Sequence, residues 1–155
     1  MAEQGFTLTS PAFVPDGIIP AGSTCDGKNA SPELHWIHPP EDTRSFALIL
    51  DDPDAPSGTF THWVLFNIPA NAHSIPANAS NVGVAGRNDF QHAGYGGPCP
   101  PPNHDYHRYF FKLFSLDVAS LELEEGVPRD KVEQSMAGHV LGETQLMGRY
   151  KRTAR

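Results

Sequence analysis

Two short segments bring together most of the side chains able to do chemistry. Residues 51–63 (DDPDAPSGTFTHW) and 94–109 (GYGGPCPPPNHDYHRY) supply aspartates, histidines and a tyrosine on backbone stiffened by proline and freed by glycine. An aspartate and two histidines on rigid supports suit three tasks: binding a phosphate-like anion, holding a metal ion, or exchanging protons.

In Asp52-Pro53-Asp54-Ala55-Pro56, two prolines fix φ and withdraw two backbone donors, so the turn is stiff. The Ala55–Pro56 bond is a candidate cis peptide that would aim its neighbours in one direction. Two readings of Asp52 and Asp54 stay open: each faces a ligand, or each accepts N–H groups of its own turn. His62 follows Asp52 by ten residues and opens the next apolar run, so a hairpin-like return puts both at one end of adjacent strands. A carboxylate beside an imidazole fixes its tautomer and favours its protonated form, a donor suited to an anion. The plainer reading of His62 is a satisfied polar residue at a strand end.

Residues 94–102 hold three glycines and four prolines, a mixture that excludes a regular element and predicts a shaped loop. Such a loop lets ligand atoms approach exposed N–H groups, or it is simply a structural turn. Strand alternation after the loop sends His107 and Tyr109 to one face and Arg108 to the other, where it is expected to serve as an ion-pair partner. His35, His38, His73, His92, His104 and His139 are assigned no role, because neither an HExxH pair nor a Cys/His zinc spacing occurs among them.

These segments need strands to position them. Apolar runs at 46–50, 64–68, 82–85 and 109–116, bounded by turn residues, read as strands. The first is continuously apolar, as in a strand buried on both faces. A helix is expected from Pro128, with acidic residues in its first turn, Val132, Met136 and Val140 on one face, and Gly138 at its end. Residues 139–150 are read as a closing strand. With 14 Gly and 15 Pro in 155 residues, many short elements joined by turns are favoured over a helical bundle, and one domain spanning 1–155 is the expectation.

A formal charge of −7 argues against a nucleic acid partner, and the basic residues of 148–155 are read as a solvated end. No run approaches the ~20 apolar residues needed for a membrane span. The start carries no signal-like segment, which predicts a cytoplasmic protein. Cys25 and Cys99 are too few for a disulfide framework, so free thiols are the default, with a single bridge as the alternative should the fold join their loops.

DPDAP, the His-Trp strand opening and GGPCPPP leading to HRYFFKLFSLD together resemble the phosphatidylethanolamine-binding protein family, which includes the Raf kinase inhibitor proteins. The resemblance extends through CDG at 25–27, SPELHW at 31–36 and GHVL at 138–141, and so covers nearly the whole chain. Length and these segments look like the compact prokaryotic branch, which lacks the C-terminal helix that closes the pocket in animal members. The resemblance implies a mainly β sandwich with a large antiparallel-rich central sheet, a smaller second sheet and one or two short peripheral helices. It implies one small anion pocket formed by Asp52, Asp54, Pro56, His62, Gly97, Pro98, Pro100, His107 and Tyr109. The segment 101–106 is longer than in animal members, which alters the mouth of that pocket.

The leading expectation is a non-catalytic protein, without cofactor, that captures the phosphate of a lipid headgroup, nucleotide or other phosphorylated small molecule. A kinase or protease partner is implied by the resemblance, and a homodimer by analogy with prokaryotic members. Ser57 and Thr61 lie near His62, but neither sits in a G-x-S-x-G elbow. The alternative is a metal-dependent or acid-base hydrolase using Asp52, His62 and His107. A third reading puts the function on a partner surface about which the sequence is silent.

Overall fold

The structure, a computed structural model, describes residues 5–152. Its centre is β3 (Ser45–Asp52), in which every residue is buried, as its unbroken apolar run requires. β4 (Phe60–Pro69) and β7 (His107–Leu116) pair with it antiparallel on either side. β6 (Val84–Ala85) and β8 (Val140–Tyr150) complete a five-stranded sheet in the order β6-β4-β3-β7-β8. A second, three-stranded sheet is formed by β1 (Thr7–Thr9), β2 (Leu34–Ile37) and β5 (Ser74–Ile75) in the order β1-β2-β5.

Alternation along the large sheet divides the core into two layers. Phe46, Leu48, Leu50, Trp63, Tyr109, Phe111 and Leu113 face the small sheet and pack with its Leu8, Leu34, Trp36 and Ile75. Ala47, Ile49, Val64 and Phe66 face the other way and are covered by Val132 and Met136 of α1 (Arg129–Met136). The architecture is therefore small sheet, large sheet, helix, a mainly β arrangement.

Pro128 stands at the N-cap of α1 in an extended conformation, one residue earlier than the first-turn place expected from the sequence. Gly138, at φ +84°, stops the helix in the left-handed region that glycine enters without a Cβ penalty. The chain then returns as β8, as expected, pairing with β7 from Leu116–Val140 to His107–Tyr150. Val140 therefore belongs to that strand and is half exposed, instead of extending the helix face. Of the expected strand at 82–85 only Val84–Ala85 forms, since Gly83 sits at φ +62° with Phe66 O too close for any Cβ. The strands of the small sheet are too short to produce a readable alternation.

Two other expectations are corrected. There is no cis peptide among the described residues, so Ala55–Pro56 is trans and the turn is shaped by side-chain hydrogen bonds instead. The cysteines are not free thiols: Cys25 and Cys99 form a disulfide across 74 residues. Their loops are brought together by bonds that the sequence does not announce: Cys25 N–H to Pro98 O at 3.1 Å, Tyr95 O–H to Ser23 O at 2.6 Å, and Gly97 N–H to Asn29 Oδ1 at 2.8 Å. No helix of the described residues is long and apolar enough to cross a membrane.

The bridge closes a long loop, so its reduction is expected to lower stability to urea by about 2–4 kcal/mol. A thiol-reactive dye should find no accessible thiol in the native protein before reduction. Two reactive thiols per chain would contradict the bridge.

Candidate functional site

The end of β3 delivers consecutive aspartates to opposite faces. Asp52 turns toward the inter-sheet side, and both of its oxygens are engaged. Oδ1 accepts the Asp54 N–H at 2.8 Å, and Oδ2 lies 2.6 Å from Nδ1 of His107, the first residue of β7. Asp52 is 3% exposed and His107 4%, so this is a buried pair. Asp52 thus accepts an N–H of its own turn, as the plainer reading has it, and also orients an imidazole.

His62 reaches the same place through a β-bulge. Leu50 pairs with Trp63 and Asp51 with Thr61, so one step along β3 spans two along β4, and His62 is the extra residue. A bulge re-aims a side chain that alternation would otherwise send to the wrong face. Nδ1 of His62 then donates to Gly96 O at 2.7 Å, while His62 O accepts the Gly96 N–H at 2.9 Å, fixing loop and strand to each other. Burial pushes the His62 pKa below the usual imidazole value, outweighing the Gly96 carbonyl and the Asp52 charge that favour the proton. His62 is accordingly neutral near pH 7, with Nε2 as its acceptor.

Tyr109, two residues beyond His107 on the same face as expected, is fully buried. Its ring lies 5.3 Å from that of His62, edge to face, and 6.4 Å from that of His107, stacked. Burial, followed by the nearby Asp52 charge, raises its pKa far above the ordinary phenol value, so the hydroxyl keeps its proton. That hydroxyl makes no hydrogen bond with good geometry to any described residue.

These groups line a cavity of about 270 Å³ together with Ala55, Pro56, Ser57, Phe60, Phe90, Cys99, Pro100 and Pro101. Of the sequence-predicted site residues, Asp52, Pro56, His62, Pro100, His107 and Tyr109 converge there. Asp54, Gly97 and Pro98 do not line it. Asp54 accepts both the N–H and the guanidinium of Arg108, at 2.9 Å and at 2.8 and 2.9 Å, and these bonds hold its carboxyl below the usual range. Arg108 thus takes the ion-pair role expected of it. Gly97 is pressed against Ser23 O and Asn29 Oδ1, where a Cβ would come within 2.2 and 2.5 Å, so the close approach it permits is by protein backbone. Thr61 faces away, toward Asp51 and Arg129.

Three residues escaped the sequence reading. Phe60 pairs with Asp52 across the hairpin, and Phe90 packs edge-on against Phe60 and His62, so the two form the cavity's apolar wall. His104 places Nδ1 3.0 Å from Nε2 of His107. Its spacing of three residues from His107 was the available signal; Phe90 had none. A second cavity, about 320 Å³, lies under Trp63 and Tyr95 beside Leu65, Val82 and Glu125. It is larger but gathers no histidine or Asp–His pair, so chemistry singles out the smaller one.

A family model described as phosphatidylethanolamine-binding protein matches residues 9–151. A UPF0098 protein of Aquifex aeolicus is 51% identical over 139 residues, covering 86% of this chain and 81% of the relative. One from Methanothermobacter thermautotrophicus is 48% identical over 151 residues, covering 94% and 98%. Among solved structures, a phosphatidylethanolamine-binding protein homolog of Chlamydia trachomatis, CT736, matches with TM-score 0.91 and 34% identity over 97% of this chain and 99% of that one. YbcL of Escherichia coli, described as a member of the mammalian PEBP family, matches with TM-score 0.89 and 30% identity over 96% and 99%.

The depressed pKa of His62 makes a claim about stability. Below the unfolded-state value of ~6.5 the unfolded chain takes up a proton that the folded chain refuses, so stability falls as pH drops through that value toward the folded one. His62→Asn keeps a donor for Gly96 O and cannot titrate. Urea midpoints at pH 7.5 and 5.5 should therefore fall less for the variant than for the parent protein; equal falls would refute the assignment.

Proposed function

Because the chain belongs to the phosphatidylethanolamine-binding protein family, we propose that its cavity captures the phosphate-type group of a small ligand without transforming it. The observation that carries this reading is the Tyr109 hydroxyl: fully buried, protonated, at the cavity wall, close to the Asp52 carboxylate but in no well-formed hydrogen bond with it or any other described residue. Buried donors nearly always have acceptors, and an orphan in a cavity points to one supplied from outside. The volume holds far more than a water molecule yet lies below the range of drug-sized ligand sites, which suits a headgroup-sized anion.

The charge balance supports the same reading. Asp52 alone would repel an anion, but His107 lies 2.6 Å from its carboxylate, where an imidazolium would balance that charge and offer Nε2–H as a donor. Asp52 therefore acts through His107 and is not itself a contact for the anion. The apolar wall of Phe60 and Phe90 gives the ligand's organic part a dry surface. Lipid headgroup, nucleotide and other phosphorylated small molecules share this chemistry. Regulation of a kinase or protease and a homodimer extend the reading on the family resemblance alone.

Catalysis finds less support. Ser57 lines the cavity with His62 and His107, but among the described residues no hydrogen bond joins its hydroxyl to either imidazole, so no nucleophile–base pair is formed. Among the described residues no group of three or more His, Cys, Asp or Glu side chains is arranged to hold a metal ion.

Calorimetric titration with phenyl phosphate tests the reading. Tyr109→Phe, which removes one hydroxyl from a filled position, should lower the affinity about tenfold, the equivalent of a single hydrogen bond of about 1.4 kcal/mol, with little change in stability. No heat of binding at any pH would refute it.

A further inference from the structure

Both ring nitrogens of His107 are spoken for. With the Nδ1 proton donated to Asp52, a neutral His107 has only a lone pair at Nε2, which takes the Nδ1–H of His104; a protonated His107 donates Nε2–H to the His104 lone pair instead. In either state one proton lies between the two rings, and Nε2 cannot also serve an oxyanion. We propose that His104 is a positioning residue that latches His107, and that an anion engages His107 Nε2 only after His104 has let go. This rests on the anion reading above.

The latch is built to open. His104 is half-buried and does not line the cavity, so it covers Nε2 from outside the space a ligand would fill. It stands in 101–106, the segment between the proline-rich wall and β7. The backbone of His104 is tied by one turn bond, its N–H to Pro101 O at 3.0 Å. Tyr106 anchors the far end of the segment, with the Arg149 guanidinium and the Lys151 ammonium each 4.9 Å from its ring. Pro101 itself lines the cavity, so movement at His104 occurs at the mouth. His107 stays in place throughout, because its bond to Asp52 is short, buried and charge-assisted when the ring is protonated.

A protonated His107 swings its Nε2–H from the His104 lone pair to a phosphate oxygen, and a neutral one takes the proton it must donate from the phosphate monoanion. In both cases the N⁺–H···O⁻ bond formed is stronger than the N–H···N bond broken, which lets a phosphate compete. The cost of opening is the same for every anion that takes Nε2. Removing the latch should therefore tighten phenyl phosphate and inorganic phosphate by one common factor, about three- to tenfold, corresponding to an open fraction of about a third to a tenth.

Two measurements on the full chain test this. In protein carrying ¹⁵N-labelled histidine, a scalar coupling across the N–H···N bond between His104 Nδ1 and His107 Nε2 should be present and should vanish on saturation with phenyl phosphate. Its absence from the protein alone, or its persistence at saturation, overturns the latch. His104→Phe keeps a ring but no nitrogen and should bind both phosphates tighter by the common factor. Binding by the parent protein that His104→Phe leaves unchanged or weakens overturns the latch alone. No binding by either protein overturns the anion reading and the latch with it.

Discussion

A strand buried on both faces that ends in two consecutive aspartates must find a partner for a carboxylate on each side of its sheet. β3 is such a strand, and much of the molecule around its end is the solution. Leaving either charge unpaired at 3% and 2% exposure would cost several kcal/mol. On the helix side Asp51 is met by Arg129 Nη1, by the Lys112 ammonium at 3.5 Å and by the Thr61 hydroxyl at 3.5 Å. Arg129 is the first residue of α1, so this pairing also places the start of the only helix that covers that face among the described residues. On the other side Asp52 is met by an imidazole. The difference is chemical: Asp51 is held by the permanent cations Arg129 and Lys112 and is structural, whereas Asp52 is held by an imidazole at 2.6 Å.

The cavity beside Asp52 is fixed from several directions. The bulge at His62 redirects one side chain, and the reciprocal bonds to Gly96 tie the proline-rich loop to β4. Gly96 lies against the Phe90 ring, where a Cβ would come within 2.3 Å, so that loop and the aromatic wall set each other's position. The Cys25–Cys99 bridge joins the same loop to the 3₁₀ turn region near Ala21–Ser23, and Arg108 clamps the Asp54 turn onto β7. A site held this way pays little ordering cost on binding, which suits a receptor for small anions. The segment 101–106 carries His104, whose backbone is held by one turn bond and whose ring meets His107 Nε2.

What could be read from the sequence follows from the range of the interactions involved. The unbroken apolar run at 46–50, the alternation from His107 to Leu116 and the helix between Pro128 and Gly138 are local patterns, and each forms nearly where expected. The placing of His107 and Tyr109 on one face and Arg108 on the other needs only period-two alternation. The disulfide, the bulge at His62 and the wall role of Phe90 depend on contacts between residues far apart in the chain or on a register slip, and no local pattern encodes them. Gly97 shows the limit differently: its need for closeness is legible, but what comes close is Ser23 and Asn29. The motif resemblance covered part of this gap, since it brought the two segments into one pocket before any geometry was known.

The central claim is that Tyr109 and His107 receive an anion in this cavity. A crystal structure of the protein saturated with phenyl phosphate tests it most directly. The account predicts the phosphate with oxygens ~3 Å from Tyr109 Oη and His107 Nε2, the phenyl ring against Phe60 and Phe90, and His104 withdrawn. A phosphate bound elsewhere on the surface, with the Tyr109 hydroxyl still unpartnered, would contradict it.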